Sequence, residues 1–528
     1  MRPGSHHRPL VVVVLLAVMV CVACNQGTPA KANQTLVIDE NFNYDDLDPA
    51  LGVFPTANIV NKSVYDNLMI VNPHDLSKPY PSLATSFTVS ADAKTTTFLL
   101  RQGVKFASGN PLTSADVVWS LTRLATLGLQ SGQNYVMQDS GGNDLAVTAP
   151  DPYTVVITSH VPDPAVPLQM TMMNAGILDS VLVQQHGGTN TARDKADDFL
   201  NSSSAGSGPY MLSQVDRTSE IVLIANPNYW GTKPAYSTVI LRNAPTTTQR
   251  FDVQDGQAQL VFDISSQTAA SLTGSVNVIS APSADQLYLI LNANPKVLPW
   301  VGDQNFRDAV RYGLDYQGLV GLAGKGAVQG TGFIPNGILG SLPAADAPHR
   351  DLARAQAALA RVGATNPTFT LEFPSDVSLD GLAIVPFATK VQSDLKEVGI
   401  TVNLLGEPQA IWAARFNAGK VQARMGYNNG DYPDPAAFAP INAVIPGSDA
   451  AADNWVQGMD PALDALTTAA LASTTAADRA ATYQALVKAM DDKAYFDWIL
   501  QPARTLVAAK SVHATINPFT TVDLGSIT

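Results

Sequence analysis

The sequence predicts an α/β protein with more than one domain-sized unit. Three observations carry that expectation. At 528 residues the chain can hold two to four units of ordinary size, each with a core of its own. Its composition is that of a globular protein, 46% hydrophobic and 15% charged, with mean hydropathy near zero. In the C-terminal half, short β-branched or aromatic runs alternate with helical patterns: a strand over Thr368–Phe373, a helix over Pro386–Val398, a strand over Thr401–Leu405.

The N-terminus reads as a leader. Arg2 and Arg8 form a short basic region, and Leu10 to Ala23 is almost unbroken Val, Leu, Ala and Met. That run is short for a membrane span but fits a signal-peptide core. It ends Cys21-Val22-Ala23-Cys24, which resembles a bacterial lipobox, with Cys21 standing where leucine is usual. The expectation is a leader over 1–23, diacylglycerol on Cys24 and a polar tether over 24–33; an ordinary signal peptide or an uncleaved anchor is the alternative. Two acyl chains on Cys24 would hold the protein at the outer face of a membrane, where one would not. Both cysteines of the chain lie in this segment, so the mature protein would have no disulfide and no cysteine metal ligand.

Thr35–Asp39 then reads as a strand, Asp46–Pro49 as a turn and Val64–Met69 as a helix. A strand over Thr95–Leu100 precedes a Gly109-Asn110-Pro111 turn. Thr113, with Asp116 three residues on, is close to a capping box and opens a helix through Trp119 to Arg123. Trp119, Phe106 and Leu100 fall at core periodicity. Strands follow at Tyr153–Ser159, Ile221–Ala225, Val239–Arg242 and Leu287–Asn292. Leu352–Val362, Pro461–Ala472 and Ala476–Asp491 are helical, with a last strand near Thr505–Ala508.

The richest stretch for function is Gly426–Pro435, GYNNGDYPDP. Its glycines and prolines predict a stiff irregular loop that displays aromatic rings, amides and two carboxylates. Asp434, just before Pro435 and an apolar run, has the pattern of a helix N-cap. Asp431 has no such role. A carboxylate in a rigid loop beside aromatics suits a cationic ligand group, or it is a solvated turn residue.

Several classes are disfavoured. The formal net charge of −13, without clustered Lys and Arg, argues against nucleic-acid binding. There is no G-x-S-x-G elbow and no H-E-x-x-H. Gly321–Gly326 lacks the Ser or Thr of a phosphate loop, and Gly206-Ser207-Gly208 lacks the third glycine of a dinucleotide fingerprint. The histidines beyond the leader, at 74, 160, 186, 349 and 513, are scattered. No cofactor, no metal and no catalytic residue is expected.

From Pro81 to Arg123 the motifs PSLATSF, TTFLLRQGVKF and GNPLTSADVVWSLTR follow one another. GSGPY (206–210), NPNYWG (226–231), FRDAVRYGLDY (306–316), GDYPDP (430–435) and DRAATYQALVKAMDD (478–492) come later, in that order. This set resembles the family-5 extracellular solute-binding proteins, the peptide, nickel and opine receptors of ABC importers. The resemblance covers essentially all of 34–528.

It implies a two-lobed α/β fold of the periplasmic-binding-protein type, class II with two crossovers, and an extra domain inserted in the first lobe. The first lobe would comprise 34–62, 205–283 and 500–528, the inserted domain 63–204 and the second lobe 284–499. In peptide-binding members the aspartate of the D-Y-x-D/E-P motif pairs with the ligand's α-ammonium, and Asp431 occupies that position. Tyr427, Asn428, Asn429, Gly430 and Tyr432 around it, with Val53 and Phe54 of the first lobe, complete the implied ligand-binding set. Asn428 departs from the family pattern, which has tryptophan there. The implied function is a monomeric, membrane-tethered receptor that hands short peptides to an ABC permease. The same scaffold holding an oligosaccharide, opine or metal-chelate is the alternative, and a secreted hydrolase or adhesin a remote one.

Overall fold

The computed structural model describes residue 1 and residues 34–131, 133–272, 274, 276–428, 430–439 and 449–528. The leader over 1–23, Cys24, the tether over 24–33 and Asn429 therefore lie outside the described residues, Met1 apart.

Two sheets organise the chain. The first has seven strands in the order Val276–Pro282, Ala503–Ala509, Leu260–Val261, Thr35–Glu40, Thr238–Asn243, Glu220–Ala225 and Tyr210–Asp216. Thr35–Glu40 runs parallel to both its neighbours. The second has six, in the order Val328–Gln329, Phe496–Gln501, Gln286–Leu291, Ala423–Asn428, Thr368–Pro374 and Thr401–Glu407. There Thr368–Pro374 is parallel to both its neighbours, which makes the α/β half legible in the alternation of 368–405. The chain passes between the sheets at residues 283–285, from Val276–Pro282 to Gln286–Leu291, and at Pro502, from Phe496–Gln501 to Ala503–Ala509.

A four-stranded antiparallel sheet, in the order Ala84–Val89, Thr95–Leu100, Thr154–Thr158, Ala146–Asp151, forms a third body against the helix Ser114–Ser131. Each sheet has its own apolar cluster: Leu36, Ile38 and Leu241 in the first, Leu289, Phe369 and Val391 in the second, Phe98, Phe106 and Leu121 in the third. Phe106 and Leu100 are core residues; Trp119 is half-buried against the first cluster.

The motif block is largely scaffold. Thr113 and Asp116 cap the helix start, the Asp116 carboxylate accepting from the Thr113 N–H at 2.9 Å. Its other oxygen accepts from the Ser180 hydroxyl at 2.7 Å, which ties a second helix to the first. The buried Asp66 accepts from Ser207 of GSGPY at 2.9 Å and from the Trp230 indole of NPNYWG at 2.7 Å. Gly206 must be glycine: a Cβ there would lie 2.0 Å from the Val64 carbonyl oxygen.

Two sequence expectations are corrected. The helix read at Val64–Met69 lies earlier, over Pro55–Val64, because Pro55 sits at a helical start and Tyr65 closes it in extended geometry. The loop read over 426–435 begins late, since Gly426, Tyr427 and Asn428 belong to the strand Ala423–Asn428 and pair with Tyr288, Leu287 and Gln286. Long-range strand pairing outweighs the local preference of a Gly-Tyr-Asn-Asn run.

Arg123, fully buried, holds the equally buried Asp48 bidentately and grips Asp194 through its Nε at 2.9 Å. The segment leading to Val53 is thereby fastened to the third body. Arg123→Met should leave two buried carboxylates without a cation and cost about 3–5 kcal/mol. Urea denaturation of the variant checks this; a loss below 1 kcal/mol would show the network to be dispensable.

Candidate ligand-binding site

Asp431 follows the strand Ala423–Asn428 by three residues, at the carboxyl end of the parallel strands of the second sheet. In open α/β sheets that edge is where ligands bind. Three packing facts hold the loop. Gly430 lies against Phe438, where a Cβ would fall 2.0 Å from the ring. Tyr432 is buried in the apolar cluster of the third body, so the loop spans from one body to another. Asp434 caps the short turn Pro435–Ala437 through the Ala436 N–H at 2.9 Å and forms a buried ion pair with Arg479. The cap role was legible in the sequence; the arginine, 45 residues away, was not.

Asp431 itself receives one hydrogen bond, from the hydroxyl of Tyr135 in the third body. Among the described residues no Lys or Arg pairs with it. Burial pushes its carboxyl up to about 6, opposed by the Tyr135 hydrogen bond. The Tyr135 phenol is raised in turn, by burial first and then by the Asp431 charge. A half-satisfied carboxylate without a cation has acceptor capacity left for a hydrogen-bond donor, charged or neutral.

The other residues of the implied set are dispersed. Tyr427 is half-buried against the core of the second sheet, its phenol raised by burial and by Asp285 and Asp376. Asn428, one residue on, emerges from the opposite face of the strand, 3% exposed, and among the described residues neither atom of its amide has a partner. Val53 is half-buried and Phe54 is 40% exposed at the start of the helix Pro55–Val64. No hydrogen bond or ion pair among the described residues joins either to Asp431. Leu51 does pack on the cluster that contains Tyr432.

Sequence reasoning missed several cleft-edge groups. Tyr135 carries no local signal, since it meets Asp431 across 296 positions. Glu40 ends the parallel strand Thr35–Glu40, buried, with Oε1 accepting from Thr56 at 2.9 Å and Oε2 without a partner. Burial, then the nearby Asp263, pushes it to about 8. An acid closing an apolar strand is the signal that could have found it. A cavity of about 260 Å³ opens beside the strand, lined by Pro374, Gln409, Trp412, Phe416 and Gly426. A larger one, about 340 Å³, lies elsewhere on the second lobe, among charges already paired such as Arg311 with Asp491 and Lys488 with Asp492. Arg415 is engaged by Glu372 and Arg424 by Asp453. Among the described residues no group of His, Cys, Asp and Glu is arranged to hold a metal ion.

Two α/β sheets joined by two passages, with a third body on one of them, define a two-lobed solute-binding fold. The family of bacterial extracellular solute-binding proteins, family 5, matches residues 78–443, well over half of the chain, and the chain belongs to it. It is 28% identical over 535 residues to the probable D,D-dipeptide-binding periplasmic protein DdpA of Escherichia coli K12, covering 98% of each. A glutathione-binding protein, GsiB of Escherichia coli O6:K15:H31, is 26% identical over 400 residues, 75% of this chain and 72% of that one. Among solved structures, the ABC transporter substrate-binding protein CtaP of Listeria monocytogenes superposes with a TM-score of 0.81 at 19% identity, over 94% of this chain and 99% of that one. A dipeptide-binding protein of Pseudoalteromonas sp. SM9913 in complex with Met-Leu gives 0.76 at 19%, over 94% and 99%. The protein is thus by family a bacterial extracellular solute-binding protein, and not an enzyme.

The two raised carboxyls set a pH dependence. Asp431 and Glu40 keep their protons in the folded chain to about 6 and 8, above the ordinary 3.8 and 4.5. Between those limits the folded state binds more protons than the unfolded chain, so their contribution to stability falls as the pH rises. Asp431→Asn should therefore stabilise the unliganded protein at pH 8 by about 1–2 kcal/mol and by almost nothing at pH 4. Denaturation of both proteins at the two pH values measures this; an equal gain at both would contradict the assignment.

Proposed function

We propose that the protein captures short peptides between its lobes, with Asp431 receiving the ligand's α-ammonium, and delivers them to the transmembrane subunits of an ABC importer. The observation that carries the reading is the Asp431 carboxylate, half-buried and, among the described residues, short of a cation, in a family whose relatives include a dipeptide-binding and a glutathione-binding protein. An ammonium group would replace or join the Tyr135 hydroxyl at Asp431 and lower its carboxyl back towards the ordinary range. Tyr135 and Asp431 come from opposite lobes, so a ligand held by both would favour the closed form by its differential contacts. Gly430 and Tyr432 hold the loop; Val53 and Phe54 supply the facing wall from the first lobe. Anchoring by a diacylglycerol on Cys24 keeps the receptor, a monomer, beside its permease.

Titration with alanyl-alanine (L,L and D,D), a tripeptide and the N-acetylated form of each tests the reading. The free amines should bind at least about tenfold better than the acetylated peptides, and Asp431→Asn should erase the difference, as expected for one charge-assisted contact. Equal binding of acetylated and free peptides would refute the role of Asp431. The anchor is tested separately: Cys24→Ala should move the protein from the membrane to the soluble fraction of its host, and an unchanged distribution would exclude the lipid.

A further inference from the structure

We propose that Gln286 and Asn428 form a paired-amide subsite that hydrogen-bonds the first peptide unit of the ligand. The subsite lies between Asp431 and an aromatic-walled cavity of the same lobe. The proposal rests on the peptide-capture reading above and deepens it.

The strand register sets Gln286 directly opposite Asn428 in an antiparallel pair. Their side chains therefore leave the same face, with Cβ atoms about 5 Å apart. Both residues are buried, at 1% and 3% exposure. The Gln286 amide is oriented by its Nε2, which donates to the Gly332 carbonyl at 2.8 Å. Among the described residues its Oε1 receives nothing, and on Asn428 neither Nδ2 nor Oδ1 has a partner. One amide donor and two carbonyl acceptors thus stand unused side by side, at the end of the strand that leads to Asp431. Unmade hydrogen bonds on buried groups are destabilising, so the pair suits a partner that brings a donor and an acceptor together. A peptide unit does this: its C=O accepts from Asn428 Nδ2, and its N–H donates to Gln286 Oε1 or Asn428 Oδ1.

The surroundings give the pair a direction. Towards the chain's C-terminus, Asp431 is three residues beyond Asn428, a reach of at most about 10 Å. In the other direction the same strand face carries Gly426, with Tyr288 opposite it. Both line the cavity of about 260 Å³, which is walled by the stacked rings of Trp412 and Phe416. Within it the Trp412 indole N–H and the Gln409 Oε1 also lack partners. Carboxylate, amide pair and cavity therefore follow one another as ammonium, first peptide unit and second side chain do in a peptide. Tryptophan, usual in the family at the position of Asn428, would offer a ring to stack on but no such donor and acceptor.

Replacing the peptide N–H by an ester oxygen isolates the contact. Alanyl-alanine and alanyl-lactate, in L,L and D,D forms, are titrated calorimetrically into the wild-type protein and into Asn428→Ala. The wild type should bind the amide about tenfold or more tightly than the ester, since the ester leaves a buried acceptor unpaired. Asn428→Ala, shown to be folded by its thermal melt, should bind the amide and the ester both more weakly, since each carbonyl loses the Nδ2 donor, and should lose most of the preference for the amide. Equal affinity of the wild type for amide and ester would overturn the subsite and leave the pair to a buried water, with Asp431 recognition intact. Failure of the wild type to bind any of the four compounds would overturn the peptide reading and the subsite with it.

Discussion

Among the described residues the chain crosses between its two large sheets at two places, and the geometry of the rest depends on how they are held. Ser283 and Pro502 lie side by side, the Ser283 N–H donating to the Pro502 carbonyl at 2.9 Å, and Gln501 returns a bond to the Ser283 carbonyl at 3.0 Å. Arg504 bonds Asp380 at 2.9 Å and Asp285 at 3.1 Å, while the Ser283 hydroxyl reaches Asp380 at 2.6 Å. Asp380 comes from a turn of the second lobe, and Arg504 from a strand of the first. One partly buried arginine thus ties both crossovers to both lobes. Two adjacent strands so constrained can bend together but not slide, which turns relative motion of the lobes into opening and closing about one line.

Buried charge is managed differently at that line and at the ligand site. Asp48 and Asp194 share Arg123, Asp434 has Arg479, Asp453 has Arg424, and Asp285 with Asp380 has Arg504. Each pairing offsets the cost of desolvating a carboxylate by a fixed cation that no ligand replaces. Asp431 and Glu40 have no such cation: each has a hydroxyl for partner and burial raises its carboxyl, as it raises that of Asp66 between Ser207 and Trp230. A carboxylate whose partner is a hydroxyl keeps acceptor capacity that a fixed cation would have filled.

Much of the fold was legible, for reasons that differ by element. The strand Thr368–Pro374, the helix Val385–Val398 and the strand Thr401–Glu407 have strong periodicity and little competition from turn residues. The capping pair Thr113 and Asp116 is a local hydrogen-bond pattern, readable from four residues. The strand over Gly426–Asn428 was not readable, because its glycine and asparagine favour turns and only Gln286, Leu287 and Tyr288, some 140 positions away in the chain, hold it extended. The same pairing separates Tyr427 from Asn428 by face, so two neighbours that looked alike as ligand contacts meet different surroundings, one an apolar core and one an unpaired amide environment.

The sequence by itself determined the family, the α/β class and the loop that carries Asp431. Those rest on motifs and turn chemistry in which every relevant residue is close by in the chain. Only the tertiary structure decided what each charged or polar group meets. Tyr135 reaches Asp431, Arg479 reaches Asp434, and Gln286 faces Asn428. Whether a carboxylate meets a cation, a hydroxyl or an indole depends on contacts between residues tens to hundreds of positions apart, on which local propensity has no bearing.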